Sequence, residues 1–403
     1  MFAALDCCDA KSIDIRPIRV LSQLGGTISQ AWQPAAVARR KIAFGIGVVR
    51  IAEIFGPCHL HCRAIKGGLP EWVEILMFRL MGFVFAACLL TIATSTGVQA
   101  VGPDWPKSLT LATASPGGVY YVYGEELAHI LTEKLGIAVE PLPTQGPVHN
   151  VKLVETGGAQ LGMITMGVGL QGWNGTGDWT GSKPFRTMRA LFPMYDTPFQ
   201  AVVLRRSGIT TVAQLDKKRF GIGPRGGTGG TYIPPILKVL GISAESTYGS
   251  FADMVTELFA GRHDAFVTLT GAPMPAIREA EAKEPITFIS VSPEQIEAIR
   301  KAMPEFSPSK IKAGTYVALD KDYNTFGVYN FAIGRADLPN DLIYQLVKAV
   351  FENQPRLLKT NLTASETLPQ NYDKNTFLPF HPGAVRYYRE IGISIPASLV
   401  PAN

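Results

Sequence analysis

The sequence predicts a two-lobed α/β fold, and three observations carry that prediction. From Leu109 onward, short apolar runs alternate with segments of helical periodicity, the order expected of parallel strands covered by helices. One construction occurs twice, as VKLVETGGAQLGMIT (151–165) and MVTELFAGRHDAFVT (254–268): a helix, a glycine stop, linking residues and a strand ending in Thr. Two extended stretches, PMYDTPFQAVVLRRSG (193–208) and TYVALDKDYNTFGVYNFAIGRADL (315–338), lack a helical period and supply one outgoing and one returning connection between lobes.

Strands are expected at 109–114, 138–142, 161–165, 220–223, 265–269 and 286–291, with helices after most of them and a further helix over 340–353. SPGG (115–118) and PRGG (224–227) each lie between a strand and a helix, so the lobes share a construction without a sequence repeat. This divides the chain into a first lobe at 101–198, a second at 199–326 and a return to the first at 327–403.

Residues 77–100, MFRLMGFVFAACLLTIATSTGVQA, read as a secretory signal, with Arg79 near the start, an apolar core and small residues at Val98-Gln99-Ala100 for cleavage near Ala100. The core is shorter than the roughly 20 residues a spanning helix needs. Residues 1–76 show no convincing period and read as an unstructured segment ahead of a start codon set too early. CHLHC (58–62) lacks the second ligand pair of a structural zinc site. All five cysteines fall at or before Cys88, so the exported part holds no disulfide or thiolate site. That part carries 28 basic against 27 acidic residues with no basic block, which disfavours nucleic acid as a partner.

Catalytic patterns are weak. GIGPRG (221–226) fits a dinucleotide fingerprint, but GVGLQG (167–172) fits it too in a chain with 40 glycines. The sequence contains no G-x-S-x-G and no H-E-x-x-H, the histidines after residue 100 are scattered, and SPSK (307–310) lies in a Pro-rich loop. The expectation is a protein that is not an enzyme, with no cofactor and no metal.

What remains are glycine-rich helix starts. Unpaired backbone N–H groups and the positive end of the helix dipole bind anions there without a cationic side chain. Gly117-Gly118 and Gly226-Gly227 allow close approach, Ser115 and Thr228 add hydroxyls, Arg225 offers a bidentate clamp, and Tyr120 or Tyr121 offers an apolar wall with a polar tip. Two such starts facing across a cleft suit a small organic anion or amino acid.

Four segments resemble the TAXI-type substrate-binding proteins of tripartite ATP-independent periplasmic (TRAP) transporters: TASPGGVYYVYGEELAHIL, TQGPVHNVKLVETGGAQLGMI, GIGPRGGTGGT and FAGRHDAFVTLTGAPMPAI. The resemblance implies a type II periplasmic-binding-protein-like fold, two α/β lobes joined by extended hinge segments with a ligand cleft between them. It implies capture of a carboxylate-bearing solute, an amino acid or a dicarboxylate such as glutamate or 2-oxoglutarate, and delivery to integral membrane TRAP transporter subunits. Carried over by position, its contacts are Ser115, Gly118, Tyr120, Tyr121, Asn150, Thr165, Gly226, Gly227, Thr228 and Thr270; Tyr195, beside the hinge, is added on our own reading. Gly227 stands where the family commonly has Ser, and Pro147-Val148-His149 replaces small residues before Asn150. The alternatives are a periplasmic sensor feeding a signalling kinase and an enzyme on the same two-lobed fold.

Overall fold

A computed structural model describes residues 101–401. The upstream segment, the signal sequence and the cysteine-histidine cluster expected above lie outside the described residues. Chain order begins β1 (Ser108–Ala112), α1 (Val119–Leu135), β2 (Ala138–Leu142), α2 (Pro147–Thr156), β3 (Leu161–Thr165), α3 (Met166–Asn174) and β4 (Met188–Leu204). It continues through β5 (Arg219–Gly221), α4 (Thr228–Val239), β6 (Glu245–Thr247), α5 (Phe251–Phe259), β7 (Ala265–Leu269), α6 (Pro275–Lys283), β8 (Ile286–Phe288), α7 (Pro293–Ala302) and β9 (Ser307–Ile311). Last come β10 (Tyr323–Arg335), α8 (Asn340–Glu352), α9 (Gln354–Thr360) and α10 (Pro382–Glu390).

The two lobes are built alike. In the first, β1 lies between β2 and β3, all parallel, and β10 closes the far side of β3 antiparallel. In the second, β5 lies between β6 and β7, again parallel, and β4 closes β7 antiparallel. Parallel strands need crossovers, which the helices supply while covering the sheet. All five residues of both β3 and β7 are buried, which explains why they are apolar but for one threonine each, Thr165 and Thr268.

β4 joins the lobes. Its residues up to Pro198 pair with β10, whereas Phe199 to Val202 pair with β7 and Val202 to Leu204 with β8. A 17-residue strand of this kind, buried along nearly its whole length, carries the chain out of one sheet and into the other. β10 is the return strand, pairing with β9 at Tyr323 to Gly327 and with β3 at Asn330 to Gly334.

SPSK is not a loop, as the sequence had suggested. Its residues open β9, where Lys310 pairs with Asn324 and Pro308 with Phe326. Proline is tolerated there because β9 is an edge strand, with β10 as its partner.

The core follows helical and strand spacing. Val119, Tyr123, Leu127, Ile130 and Leu131 of α1 are buried, as are Leu342, Ile343, Leu346, Val347 and Val350 of α8, which packs against it. Among the described residues no helix is long and apolar enough to cross a membrane.

Candidate ligand-binding cleft

Several helices begin where the lobes meet, and they begin without side-chain caps. The N-cap residues are Gly118 for α1, Gly146 for α2, Thr165 for α3 and Gly227 for α4, and none has a side chain that accepts from the helix. By contrast, α5 and α7 start on Ser250 and Ser292, each accepting from the third helical N–H in a capping box. Serine and related caps satisfy orphan N–H groups at helix starts. The starts of α1, α3 and α4 leave theirs for something else, whereas α2 opens on Pro147, which has no N–H, and sends the Val148 N–H to Gly226.

Gly118, Gly146 and Gly227 all line one cavity, so the positive ends of α1, α2 and α4 converge there. The cavity encloses about 30 Å³, room for only a water or two. Its walls touch. The Val148 N–H donates to the Gly226 carbonyl at 3.0 Å and the Ala276 N–H to the Gly117 carbonyl at 3.1 Å, while the Thr165 and Thr228 hydroxyls lie 3.4 Å apart. These loops require glycine at two points. Gly117 has φ +85°, and Gly146 has φ +110° with a Cβ position 3.0 Å from the Gly227 Cα.

A buried polar network shapes the remaining walls. The Tyr120 hydroxyl donates to Asn330 Oδ1 at 2.5 Å, and the Asn330 amide donates to the Tyr195 carbonyl at 2.6 Å and to the Thr197 hydroxyl. Gln200 donates to the Thr270 carbonyl at 2.9 Å and accepts from Tyr316, whose hydroxyl in turn accepts from the Met274 N–H. The loop bearing Thr270 is thereby fixed. Thr270 itself is 8% exposed and lines the cavity, and its hydroxyl has no partner among the described residues. Burial pushes the Tyr120 and Tyr195 phenols well above their ordinary range, so both stay protonated. Tyr120 packs edge-on against Tyr195 at 6.2 Å, and Tyr195 lies 5.5 Å from Tyr123.

The thirteen residues singled out by sequence divide by place. Gly118, Tyr120, Gly227, Thr228 and Thr270 line the cavity. Gly117 and Gly226 lend their carbonyls to hydrogen bonds between the lobes, and Thr165 faces Thr228. Ser115 and Tyr195 are buried with unpartnered hydroxyls, just behind the lining. Asn150 braces the first lobe: it accepts from Thr144 at 2.6 Å and donates to the Thr113 and Met163 carbonyls. Tyr121 is half-buried and outside the lining. Arg225 is exposed, with its guanidinium 3.8 Å from the Tyr248 ring centroid, and lines an outer groove with Lys152, Asp178 and Trp179. The carboxylate clamp expected of Arg225 is therefore not part of the inner cavity.

Sequence reasoning passed over Gln145, Thr197, Phe251 and Asn330, which also line the cavity. Asn330 had a signal: it is the lone amide in the apolar run FGVYNFAIG. Phe251 had none, because an apolar residue at a helix start reads as core.

The matched profile is the deciding observation for family: residues 111–392 fit that of the NMT1-like family. The chain belongs to the NMT1-like family. This is a family of periplasmic-binding-protein-like solute-binding proteins. Among solved structures, this NMT1-like chain is similar to a periplasmic transporter protein (13% identity, TM-score 0.47, covering 72% of this chain and 93% of that one). It is also similar to the periplasmic binding protein BugD (12%, 0.47, covering 73% and 99%). A third is PhnD1 from Prochlorococcus marinus, solved in complex with methylphosphonate (13%, 0.45, covering 71% and 98%).

Proposed function

We propose that this NMT1-like protein is a periplasmic receptor that closes its two lobes on a small carboxylate-bearing solute and delivers it to membrane transporter subunits. One observation carries the proposal: three helix N-termini from both lobes, none capped by a side chain, converge on one cavity. A carboxylate there would meet the free N–H groups that open α1 and α4 and the positive end of α2, where Pro147 has no N–H and Val148 already donates to Gly226. Thr228 and Thr270 supply hydroxyls, Tyr120 forms wall with its proton given to Asn330, and Ser115 and Tyr195 stand behind with free hydroxyls. Closure follows from differential affinity, since a ligand touching both lobes favours the closed arrangement by what it gains there.

The lobes in this proposal are 101–198 with 327–403 and, between them, 199–326. The finer assignment is to a TRAP-type system, supported by the four TAXI-like segments. Uptake by cells carrying the protein and its cognate membrane subunits would separate the systems: dependence on an ion gradient rather than ATP is the expected result. For the receptor itself the test is calorimetric titration with small mono- and dicarboxylates and their amino counterparts. Micromolar or tighter binding of at least one is expected, and a folded protein that binds none of them refutes the proposal.

A further inference from the structure

The composition of the cavity wall points to a narrower ligand class: we infer that the cleft selects a carboxylate without an ammonium group, a 2-oxo, 2-hydroxy or plain carboxylic acid rather than an amino acid. This rests on the carboxylate receptor proposed above and specifies its ligand. The polar side chains on the wall belong to Tyr120, Gln145, Thr197, Thr228, Thr270 and Asn330, and no lining residue is Asp, Glu, Lys, Arg or His. An ammonium group would meet the like-signed ends of three helices and no carboxylate.

Apart from the Gln145 amide, the neutral acceptors of the wall and its loops are largely committed. Asn330 Oδ1 already accepts from Tyr120, and the Thr197 hydroxyl accepts from the Asn330 amide. The Gly117 and Gly226 carbonyls, which lie on the same loops, accept from Ala276 and Val148. By contrast, the unpartnered Thr270 hydroxyl is free to donate to an anion or to a 2-oxo or 2-hydroxy oxygen. The half-buried acids Asp196 and Glu366 line other cavities, where Lys312 and Lys374 accompany them, and Asp196 is engaged by the Thr197 N–H and the Ser309 hydroxyl. A buried cation without a counter-charge is strongly disfavoured, so an amino acid should bind at least about 100-fold more weakly than its oxo counterpart.

The test is calorimetric titration of the purified protein with matched triplets: pyruvate, lactate and alanine; 2-oxoglutarate, 2-hydroxyglutarate and glutamate. In any triplet that binds, the oxo or hydroxy acid is expected to exceed the amino acid by that factor. An amino acid that binds as tightly as its oxo partner overturns the inference and leaves carboxylate capture standing. Absence of binding by all six, with a cooperative melting transition intact, overturns both. As a second measurement, Thr270→Asp supplies the missing counter-charge and should lower the oxo-to-amino affinity ratio at least tenfold; an unchanged ratio in a folded variant counts against the inference.

Discussion

Asn150 and Arg225 sit at opposite extremes of the residues that sequence motifs nominated, and mutation should separate them. Asn150 is fully buried and donates to the Thr113 and Met163 carbonyls, at 2.8 and 2.7 Å, so Asn150→Leu removes both bonds from the core and takes the acceptor of the Thr144 hydroxyl with them. Chemical denaturation should register a loss of about 2–4 kcal/mol. Arg225 is exposed and stacked on Tyr248 outside the cavity. Arg225→Ala should leave carboxylate affinity within about threefold by calorimetry; a larger loss would bring the outer groove into the binding site. Motif spacing named both residues because it reports which positions share a loop or helix. It does not report whether a side chain points to the cavity, to the core or to solvent. Tyr120 and Tyr121 make the same point as neighbours: only Tyr120 reaches the lining. Asn330 arrives there from a strand more than 200 residues away, through the Tyr120 bond, and no local pattern encodes that meeting.

At the scale of elements, the helix starts are the functional parts. Gly146→Ala puts a side chain at φ +110° and 3.0 Å from the Gly227 Cα, across the seam between α2 and α4. Backbone strain of this kind costs about 1–3 kcal/mol. Ligand affinity should fall at least tenfold because the lobes can no longer approach, with a smaller drop in melting temperature. The start of α10 is a different device. His381 is fully buried, its Nδ1 accepts from the Gly383 N–H, and burial lowers its pKa to about 4. Between about pH 6.5 and 4 the unfolded chain protonates this histidine and the folded chain does not, so stability falls as pH drops through that window. The slope from this group reaches about 1.4 kcal/mol per pH unit. Melting scans of His381→Asn, which keeps an acceptor at the cap, should show a shallower acid loss than the wild type. Sequence periodicity located the inner strands of both lobes because buried parallel strands are mostly apolar runs. It missed two edge strands: β6, Glu-Ser-Thr, has no apolar residue, and in β9 Pro308 and Lys310 disguise a strand whose edge place tolerates both.

For the whole molecule, the strands that cross between sheets matter most. Asp196 lies in β4 where it leaves β10, its backbone N–H donates to Glu366 at 3.1 Å, and its carboxyl sits against the Gly327 backbone of β10. Burial raises the pKa of both carboxyls, and for Glu366 the Asp196 charge adds to it. Groups shifted this way contribute stability when protonated and lose it as pH rises through the folded pKa. Glu366→Gln keeps an acceptor for Asp196 and removes one charge, so it should raise the melting temperature at pH 7. The gain should shrink toward acid pH, where the wild-type carboxyls are themselves neutral.

The path of β10 has a consequence for the order in which the chain can fold. Thr165 of β3 pairs with Asn330, and β4 pairs with β10 along Met188 to Pro198. As the polypeptide emerges amino end first, β1, β2 and β3 can pair with one another, but the far edge of β3 waits for a partner that lies beyond the entire second lobe. The second lobe has no such delay, since β4 through β7 are contiguous in the chain. Local closures precede distant ones when loop entropy governs. The pairing of β4 to β7 should therefore acquire amide protection before the outer edge of β3 does, and pulse-labelled hydrogen exchange during refolding would record that order.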